Sequence, residues 1–294
     1  MYTVDILNDS NALTYEQFTF PKLRPNLHNL NSNNSLVAIG ACEEEKPIGL
    51  ALGKVFPGGE FVEVLSIFVA PPHRGAGIGT TLLTRLEQEL QVRGCKQAEL
   101  VYMSGKTTTP ALEHMLQKRH WTTPETRMLV CKGKAETIIQ APWMKKYSRL
   151  PSEYSIFPWI EITPQERQAI QEQQKIEPWI PKDLIPFLHE ENLEPINSLG
   201  LRYQAHVVGW VINHRISPDT ILYTCSFVRK DLQKMGRIIS LYAEASKRQF
   251  QANIPNGIWT VPLEHESMVK FVKHRLAPYL ISVTETRGTF KLLQ

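Results

Sequence analysis

The stretch Val69-Ala-Pro-Pro-His-Arg-Gly-Ala-Gly-Ile-Gly-Thr80 joins two segments of different character. Before it, Val62 to Val69 form an apolar run typical of a β-strand. After it, Ile78 to Arg93 have the apolar spacing of an amphipathic helix. The first N–H groups of a helix lack intrahelical partners, and the helix dipole favours negative charge near them. The stretch therefore predicts an anion-binding turn between a strand and a helix.

The residues of this turn suit a diphosphate. Gly75, Gly77 and Gly79 have no Cβ atoms, so a phosphate can approach the backbone N–H groups closely. Arg74 adds a guanidinium group, whose planar donors match phosphate oxygens. We expect a pyrophosphate to bind here.

The pattern differs from the glycine patterns of two other phosphate-binding loops. A dinucleotide-binding fold requires G-x-G-x-x-G, whereas the glycines here follow G-x-G-x-G. Glu99 lies near the position where that fold places an acidic residue, so this test alone leaves the alternative open. The Walker loop fails more clearly, because Ser104-Gly-Lys-Thr107 has Leu100 where its first glycine is required.

The complete pattern resembles the acetyl-coenzyme A loop of the GNAT acyltransferase superfamily, whose core is [RQ]-x-x-G-x-[GA]. The match is Arg74-Gly-Ala-Gly77-Ile-Gly79, preceded by Leu65-Ser-Ile-Phe-Val69-Ala-Pro71 and followed by Leu82-Leu-Thr-Arg-Leu-Glu87. The resemblance implies an α/β (α+β) fold in which helices flank a mixed, mostly antiparallel central sheet. It also implies acetyl-CoA as a co-substrate.

Composition limits the class of protein. The chain has 294 residues, of which 42% are hydrophobic and 21% charged, enough for one large or two ordinary domains. No apolar run approaches the ~20 residues of a membrane span, and no secretory signal is visible. The net charge of +4 is spread along the chain, so a nucleic-acid surface is not indicated. The four cysteines are scattered, which favours reduced thiols over a metal site. We expect a cytoplasmic protein with no membrane or metal partner.

The order of elements predicts two domains. Strand and helix signals alternate through residues 1–140, which we expect to form a GNAT domain closed by a strand at Thr126 to Lys132. Three prolines, followed by Pro164, indicate a surface connector over 141–160. A similar order then begins with a short strand at Glu161-Ile-Thr163, and this predicts a second domain over 161–294.

An alignment within the chain predicts that the second domain is a duplicate. At a constant offset of 159 residues (Phe68 to Phe227), the segment Ser226–Gly236 aligns with Ile67–Gly77. Phe68, Val69 and Gly77 recur as Phe227, Val228 and Gly236, and Arg74 becomes Gln233.

The second copy lacks the chemistry of the first. Lys234 replaces Gly75 and Ile238 replaces Gly79, so side chains crowd the phosphate position, and Leu222 replaces Glu63. We expect a degenerate copy, kept for packing or for shaping an acceptor groove, rather than a second active site.

The resemblance assigns the coenzyme site residue by residue. The backbone of the strand end contacts the pantetheine and the thioester, and the loop amides hold the pyrophosphate. The residues expected to bind the cofactor are Ile67, Phe68, Val69, Arg74, Gly75, Ala76, Gly77, Ile78, Gly79 and Thr80.

Glu63 is the candidate general base, because many members of the family carry an acidic residue at this place. Strand alternation is expected to place Glu63 on one face with Leu65, Ile67 and Val69, where apolar neighbours raise its proton affinity. A solvated glutamate at the start of the strand is the competing interpretation.

The acid that protonates the leaving thiolate is harder to assign. The family often carries a tyrosine on the second helix, but the corresponding residue here is Leu116, which has no proton to give. Either the thiolate leaves unassisted, or Tyr102 or His114 supplies the proton.

The function expected from these residues is acetyl-CoA-dependent N-acetyltransfer (EC 2.3.1.-), by direct attack in a ternary complex. The alternative is an inactive acyl-CoA-binding sensor or scaffold. The acceptor is an amine of a small molecule, a peptide or a protein, and the chain is a monomer or a homodimer; the sequence leaves both questions open.

Overall fold

The computed structural model describes residues 1–30, 35–147 and 149–293. The chain divides into two compact units. Unit 1 comprises residues 1–127 together with 285–294, and unit 2 comprises residues 128–284. No helix in these described ranges is both long and apolar enough to cross a membrane.

Unit 1 is built on a sheet with the strand order β1-β2-β3-β4-β5-β12. Its neighbours are antiparallel except β4 and β5, which are parallel. The strands are β1 Tyr2–Ile6, β2 Leu36–Glu43, β3 Lys46–Val55, β4 Phe61–Val69, β5 Gln97–Met103 and β12 Leu280–Leu292. The helices are α1 Ile78–Val92 and α2 Thr109–Lys118, with 3-10 helices at Ala12–Phe18, Pro21–Asn29 and Pro71–His73.

Unit 2 repeats this plan with the strand order β6-β11-β10-β9-β8-β7, in which β10 and β11 are the parallel pair. Its strands are β6 Glu125–Lys134, β7 Tyr154–Pro158, β8 Leu199–Tyr203, β9 His206–Ser217, β10 Thr220–Val228 and β11 Asn256–Pro262. Its α-helices are α3 Ala135–Ile139, α4 Pro142–Tyr147, α5 Pro164–Ile176, α6 Lys230–Gln233, α7 Arg237–Gln251 and α8 Glu266–Phe271. A π-helical turn, Val272–Leu276, extends α8, and 3-10 turns lie at Trp159–Glu161, Lys182–Leu184, Pro186–His189 and Ala277–Tyr279.

Each face of the unit 1 sheet is covered by helical structure. Leu82, Leu86 and Leu90 recur at helical spacing on α1, and all three are fully buried against β2, β3 and β4. The 3-10 helices pack Tyr15 and Leu27 on the opposite face. The end of β4 is therefore held between two apolar layers, and this fixes the strand that leads into the glycine loop.

The backbone repeats the predicted duplication in detail. Gly77 precedes α1 with φ +80°, and Gly236 precedes α7 with φ +69°, at the predicted offset. A register shift leaves Leu65 unpaired in β4, and an equivalent shift leaves Thr224 unpaired in β10. These two bulges are also 159 residues apart, and the same bulge in both copies supports a common origin.

The two compact units do not contain the strands that the predicted domain boundaries assign to them. From Met128 onward, β6 pairs with β11 in unit 2, rather than closing the first domain. Residues 286–292 of β12 pair with β5 in unit 1. Each unit thus takes its last strand from the sequence assigned to the other copy.

The proline-rich stretch over 141–160 is not a surface connector. It contains α4 and β7, and Phe157 and Trp159 are buried in the core of unit 2. The expected strand at Glu161-Ile-Thr163 is also wrong: Glu161 ends a 3-10 turn and Thr163 caps α5. The strand lies seven residues earlier because β7 is an edge strand, which tolerates Pro158 at its end.

Candidate active site in unit 1

Two of the three glycines in the loop between β4 and α1 are required by the backbone conformation. Gly75 and Gly77 have φ of +83° and +80°, and a Cβ on either would meet no atom within 4 Å. The left-handed backbone therefore calls for glycine at both positions. Gly79 is different, because its Cβ would lie 3.6 Å from Met115 Sδ and 3.7 Å from Val69 Cγ2, which are ordinary contacts. The protein itself therefore gives no reason for glycine at position 79.

The backbone amides of this loop are free to bind a ligand. The first intrahelical bond of α1 runs from the N–H of Thr81 to the carbonyl of Gly77 at 3.1 Å. Among the described residues, no acceptor is hydrogen-bonded to the N–H groups of residues 75–80. These groups lie at a helix N-terminus, so the loop can hold an anion of pyrophosphate size.

Arg74 is fixed beside the loop. Its Nε donates a hydrogen bond to the carbonyl of Val69 at 2.9 Å, and its guanidinium carbon lies 5.4 Å from the centre of the Phe68 ring. Phe68 in turn stacks on Phe18, with ring centres 5.8 Å apart. The cation is therefore positioned by β4 itself, which lowers the entropy cost of using it for a phosphate.

The parallel strands β4 and β5 separate next to the loop. They are paired from Phe61–Gln97 to Val64–Leu100, and β5 then continues alongside β12. Beyond Val64, β3 is the strand partner of β4 among the residues that the structure describes. One edge of β4 therefore carries peptide groups without a strand partner, and the predicted residues Ile67, Phe68 and Val69 all lie on that stretch.

The bulge at Leu65 corrects the expected orientation of Glu63. Val64, Ile67 and Val69 pack with the core on the α1 side, because one extra residue reverses the alternation after Leu65. Glu63 pairs with Lys54 and belongs to the opposite face, which it shares with Leu65 and Phe68. Its side chain is half-buried.

Different elements cover the two faces of the sheet: α1 packs on one, and the 3-10 helices pack on the face of Glu63. There Ser66 Oγ and Thr19 Oγ1 share a hydrogen bond of 3.1 Å. Glu63 lies on β4 before the point where β4 and β5 separate, and the glycine loop follows the end of β4.

The structure argues against Tyr102 as the acid. Its hydroxyl donates to Glu113 Oε1 at 2.8 Å, and Arg287 Nη1 donates to the same oxygen at 2.8 Å. Burial, followed by the bond to Glu113, raises the pKa of Tyr102 above its ordinary value. A phenol that holds its proton more tightly is a poorer donor to a thiolate.

The residue at the usual tyrosine position and the other candidate acid differ in exposure. Leu116 is 1% exposed and packs in the core, while His114 is exposed on α2. The sequence did not predict Glu113 and Arg287 as partners, because they lie 174 residues apart in the chain and only the strand order brings Arg287 to α2.

Unit 2 retains the frame of this site without its ligand groups. Gln233 Nε2 donates to the carbonyl of Val228 at 2.8 Å, the same bond that Arg74 makes to Val69 in unit 1. Lys234 has a right-handed backbone, with φ −62° where Gly75 has φ +83°. The loop has therefore lost the arginine at the position of Arg74 and one of its left-handed residues.

One group of possible metal ligands occurs among the described residues. Atoms of Asp183, Glu264 and His265 lie within 4.8 Å of one another in unit 2. His265 Nε2 already lies 2.8 Å from Asp183 Oδ2, so a hydrogen bond explains this arrangement.

Comparison with known proteins agrees with this geometry. Residues 3–115 match the model of the acetyltransferase (GNAT) family. The tandem GNAT protein from the clavulanic acid biosynthesis pathway is similar over 100% of this chain and 99% of its own, with a TM-score of 0.69 and 10% identity. A GCN5-related N-acetyltransferase from Sphaerobacter thermophilus is similar over 100% and 96%, with a TM-score of 0.67 and 13% identity. No curated protein sequence matches the chain.

At such low identities the structural likeness establishes the fold, and the family match rests on the segment that carries the glycine loop. Residues 3–115 therefore match the GNAT acetyltransferase family, and the chain has the fold of the tandem GNAT proteins along its whole length.

Proposed function

We propose that unit 1 transfers an acetyl group from acetyl-CoA to an amine, by direct attack within a ternary complex. The observation that carries this proposal is the run of six unpartnered amides, from Gly75 to Thr80, beside the separated strands β4 and β5. The loop amides and Arg74 would bind the pyrophosphate. The free edge of β4 at Ile67, Phe68 and Val69 would bind the pantetheine arm.

In this mechanism the amine nitrogen attacks the thioester carbonyl carbon, the carbon–sulfur bond breaks, and the amide forms. The proton lost by the amine passes to the Glu63 carboxylate, directly or through water. The thiolate takes its proton from solvent or from His114, which is exposed on α2, because Leu116 carries none and Tyr102 holds its own. Transfer is direct, so we assign no residue the role of covalent nucleophile.

Substitution of Glu63 tests whether this carboxylate accepts the proton of the amine. The intact chain is mixed with acetyl-CoA and a panel of small amines, peptide N-termini and lysine peptides, while release of free thiol is followed. We expect Glu63→Gln to lower kcat about 10²-fold with little change in coenzyme affinity, the size of effect typical for loss of a general base. The control is Glu60→Gln, three residues earlier, which we expect to retain activity.

The alternative function is an acyl-CoA-binding module that has lost turnover, and Leu116 at the usual tyrosine position is the observation that favours it. Tight coenzyme binding without thiol release on any amine would establish this alternative and overturn the catalytic proposal.

Gly77→Glu tests the binding site independently of chemistry. A carboxylate at this position repels the pyrophosphate, and we expect calorimetry to detect no coenzyme binding. Gly58→Glu is a matched control. Gly58 also has a positive φ, and its Cβ also meets open space, but it lies in the β3–β4 turn. If Gly77→Glu and Gly58→Glu bind coenzyme equally well, the loop is not the pyrophosphate site.

A further inference from the structure

Unit 2 contains a cavity of about 530 Å³ at the place that corresponds to the coenzyme cleft of unit 1. The strands β10 and β11 are paired from Thr220–Asn256 to Tyr223–Trp259 and then separate, as β4 and β5 do. The cavity lies between the separated ends, and α7, α8 and the segment around Leu184 complete its walls. Its volume falls within the range of about 300–1,000 Å³ that is usual for small-molecule sites.

The walls of this cavity are mainly apolar. Aromatic and aliphatic side chains from four elements line it: Phe227, Ile238, Ile239, Trp259, Met268 and Phe271. Ile238 replaces the glycine that unit 1 has at position 79, so hydrocarbon lies where a phosphate would approach. A degenerate copy kept only for packing would gain dispersion contacts by filling this volume, but the cavity is open.

The charges of the lining argue against a coenzyme A site. Among the described residues that line the cavity there is no lysine or arginine. The charged types are Asp183 and His265, whose side chains are hydrogen-bonded to each other at 2.8 Å. A pyrophosphate placed here would lose its hydration without meeting a cation, which is costly. The lining therefore favours a ligand that carries no phosphate.

The cavity is held open by fixed contacts. The carbonyl of Leu184 accepts hydrogen bonds from Trp210 Nε1 at 3.1 Å and from Cys225 Sγ at 3.3 Å, which secures the covering segment to β9 and β10. The Asp183–His265 bond joins the same segment to the start of α8. Because the walls are tied together without a ligand, binding needs little ordering of the protein.

We propose that unit 2 binds a small, predominantly apolar molecule, with an aromatic or branched hydrocarbon body and no phosphate group. The aromatic walls bury the body of the ligand, and Ser226, Thr224 and the Asp183–His265 pair offer the polar contacts that orient it. This inference goes beyond the acyl transfer proposed for unit 1 and does not depend on it.

The experiment uses the intact chain and N-phenyl-1-naphthylamine, an uncharged apolar probe that fluoresces when it is removed from water. We expect saturable binding of one probe per chain, unaffected by an excess of coenzyme A. Thr260→Phe places a ring in the cavity and should weaken binding at least ten-fold. The matched control, Ile258→Phe, carries the same ring two residues earlier on β11, outside the lining, and should bind within two-fold of the unaltered protein.

Three results would overturn the proposal: no saturable binding of the probe, equal binding by Thr260→Phe and Ile258→Phe, or displacement of the probe by coenzyme A. The last would make the cavity a second coenzyme site. If Thr260→Phe does not fold, Ser267→Trp replaces it, because Ser267 lines the cavity from the exposed side of α8, and Lys270→Trp on the same helix is then the control.

Discussion

Arg74 is hydrogen-bonded through Nε to the carbonyl oxygen of Val69, at 2.9 Å, across the turn that ends β4. This bond uses the side chain of Arg74 to fix the start of the loop, and it leaves the backbone N–H groups of the loop free for a ligand. Unit 2 keeps the bond with Gln233 and Val228. The contact therefore has a structural role in both copies. In unit 1 the side chain that makes it is also positively charged, whereas the glutamine of unit 2 is neutral.

Arg74→Gln separates these two roles. Gln233 demonstrates that glutamine can make the bond, so we expect the melting temperature of the variant to stay within 1–2 °C of the unaltered protein. Loss of the charge should weaken coenzyme binding about ten-fold, since a hydrogen bond to a charged group is worth about 1.5–3 kcal/mol. Calorimetry at two salt concentrations provides the check. Unchanged affinity in low salt would remove Arg74 from the phosphate site.

Gly79→Ala is expected to affect stability and binding in opposite directions. The added methyl makes only ordinary contacts, and alanine favours a helix over glycine by up to about 1 kcal/mol. The protein should therefore be as stable as before or slightly more stable. Binding of coenzyme A should weaken, because the methyl occupies the approach to the amides. Denaturant unfolding and calorimetry measure the two effects separately, and a variant with full affinity would show that the ligand does not approach Gly79.

The strand from the end of the sequence is expected to be essential for unit 1. Residues 286–292 pair with β5, and Thr289 is 5% exposed, with Oγ1 bonded to the carbonyl of Thr122 at 2.6 Å. Removal of residues 286–294 leaves β5 with an open edge and should abolish coenzyme binding. Hydrogen exchange of β5 amides measures the loss directly. Full protection of β5 in the shortened chain would contradict the strand assignment.

The Tyr102–Glu113–Arg287 network predicts a pH dependence. The hydrogen bond from Tyr102 is the main cause that lowers the pKa of Glu113 below its ordinary 4.5, and Arg287 acts in the same direction. A carboxyl whose pKa is lower in the folded state stabilises the fold above its unfolded pKa and loses that contribution as pH falls through the folded value. Glu113→Gln should therefore lower the melting temperature at pH 7, and the difference from the unaltered protein should shrink steadily below pH 4.5. A difference that is equal at pH 7 and pH 3.5 would exclude this contribution.

The local features of unit 1 were predictable because neighbouring residues determine them. The glycine loop, α1 and the 159-residue repeat depend on spacing within short segments, and the structure contains them all. The bulge at Leu65 was missed because a run of apolar residues carries no sign of one extra residue. As a result, the predicted face of Glu63 was wrong.

Features that depend on distant pairing were not predictable. The sequences of β6 and β12 do not indicate which of the two similar sheets each strand joins, because both sheets offer the same kind of apolar edge. For the same reason Arg287 was absent from the predicted site, and β7 was hidden among prolines that an edge strand tolerates.

The pairing of β5 with residues 286–292 has a consequence for the order of events during synthesis. The ribosome produces α1, the glycine loop and β5 early, but the neighbour of β5 emerges only after the whole of unit 2 has been translated. A nascent chain therefore carries an incomplete unit 1 sheet for most of its synthesis, at speeds of about 5–20 residues per second. A chain interrupted before residue 286 contains unit 2 but lacks the strand that completes the sheet of unit 1.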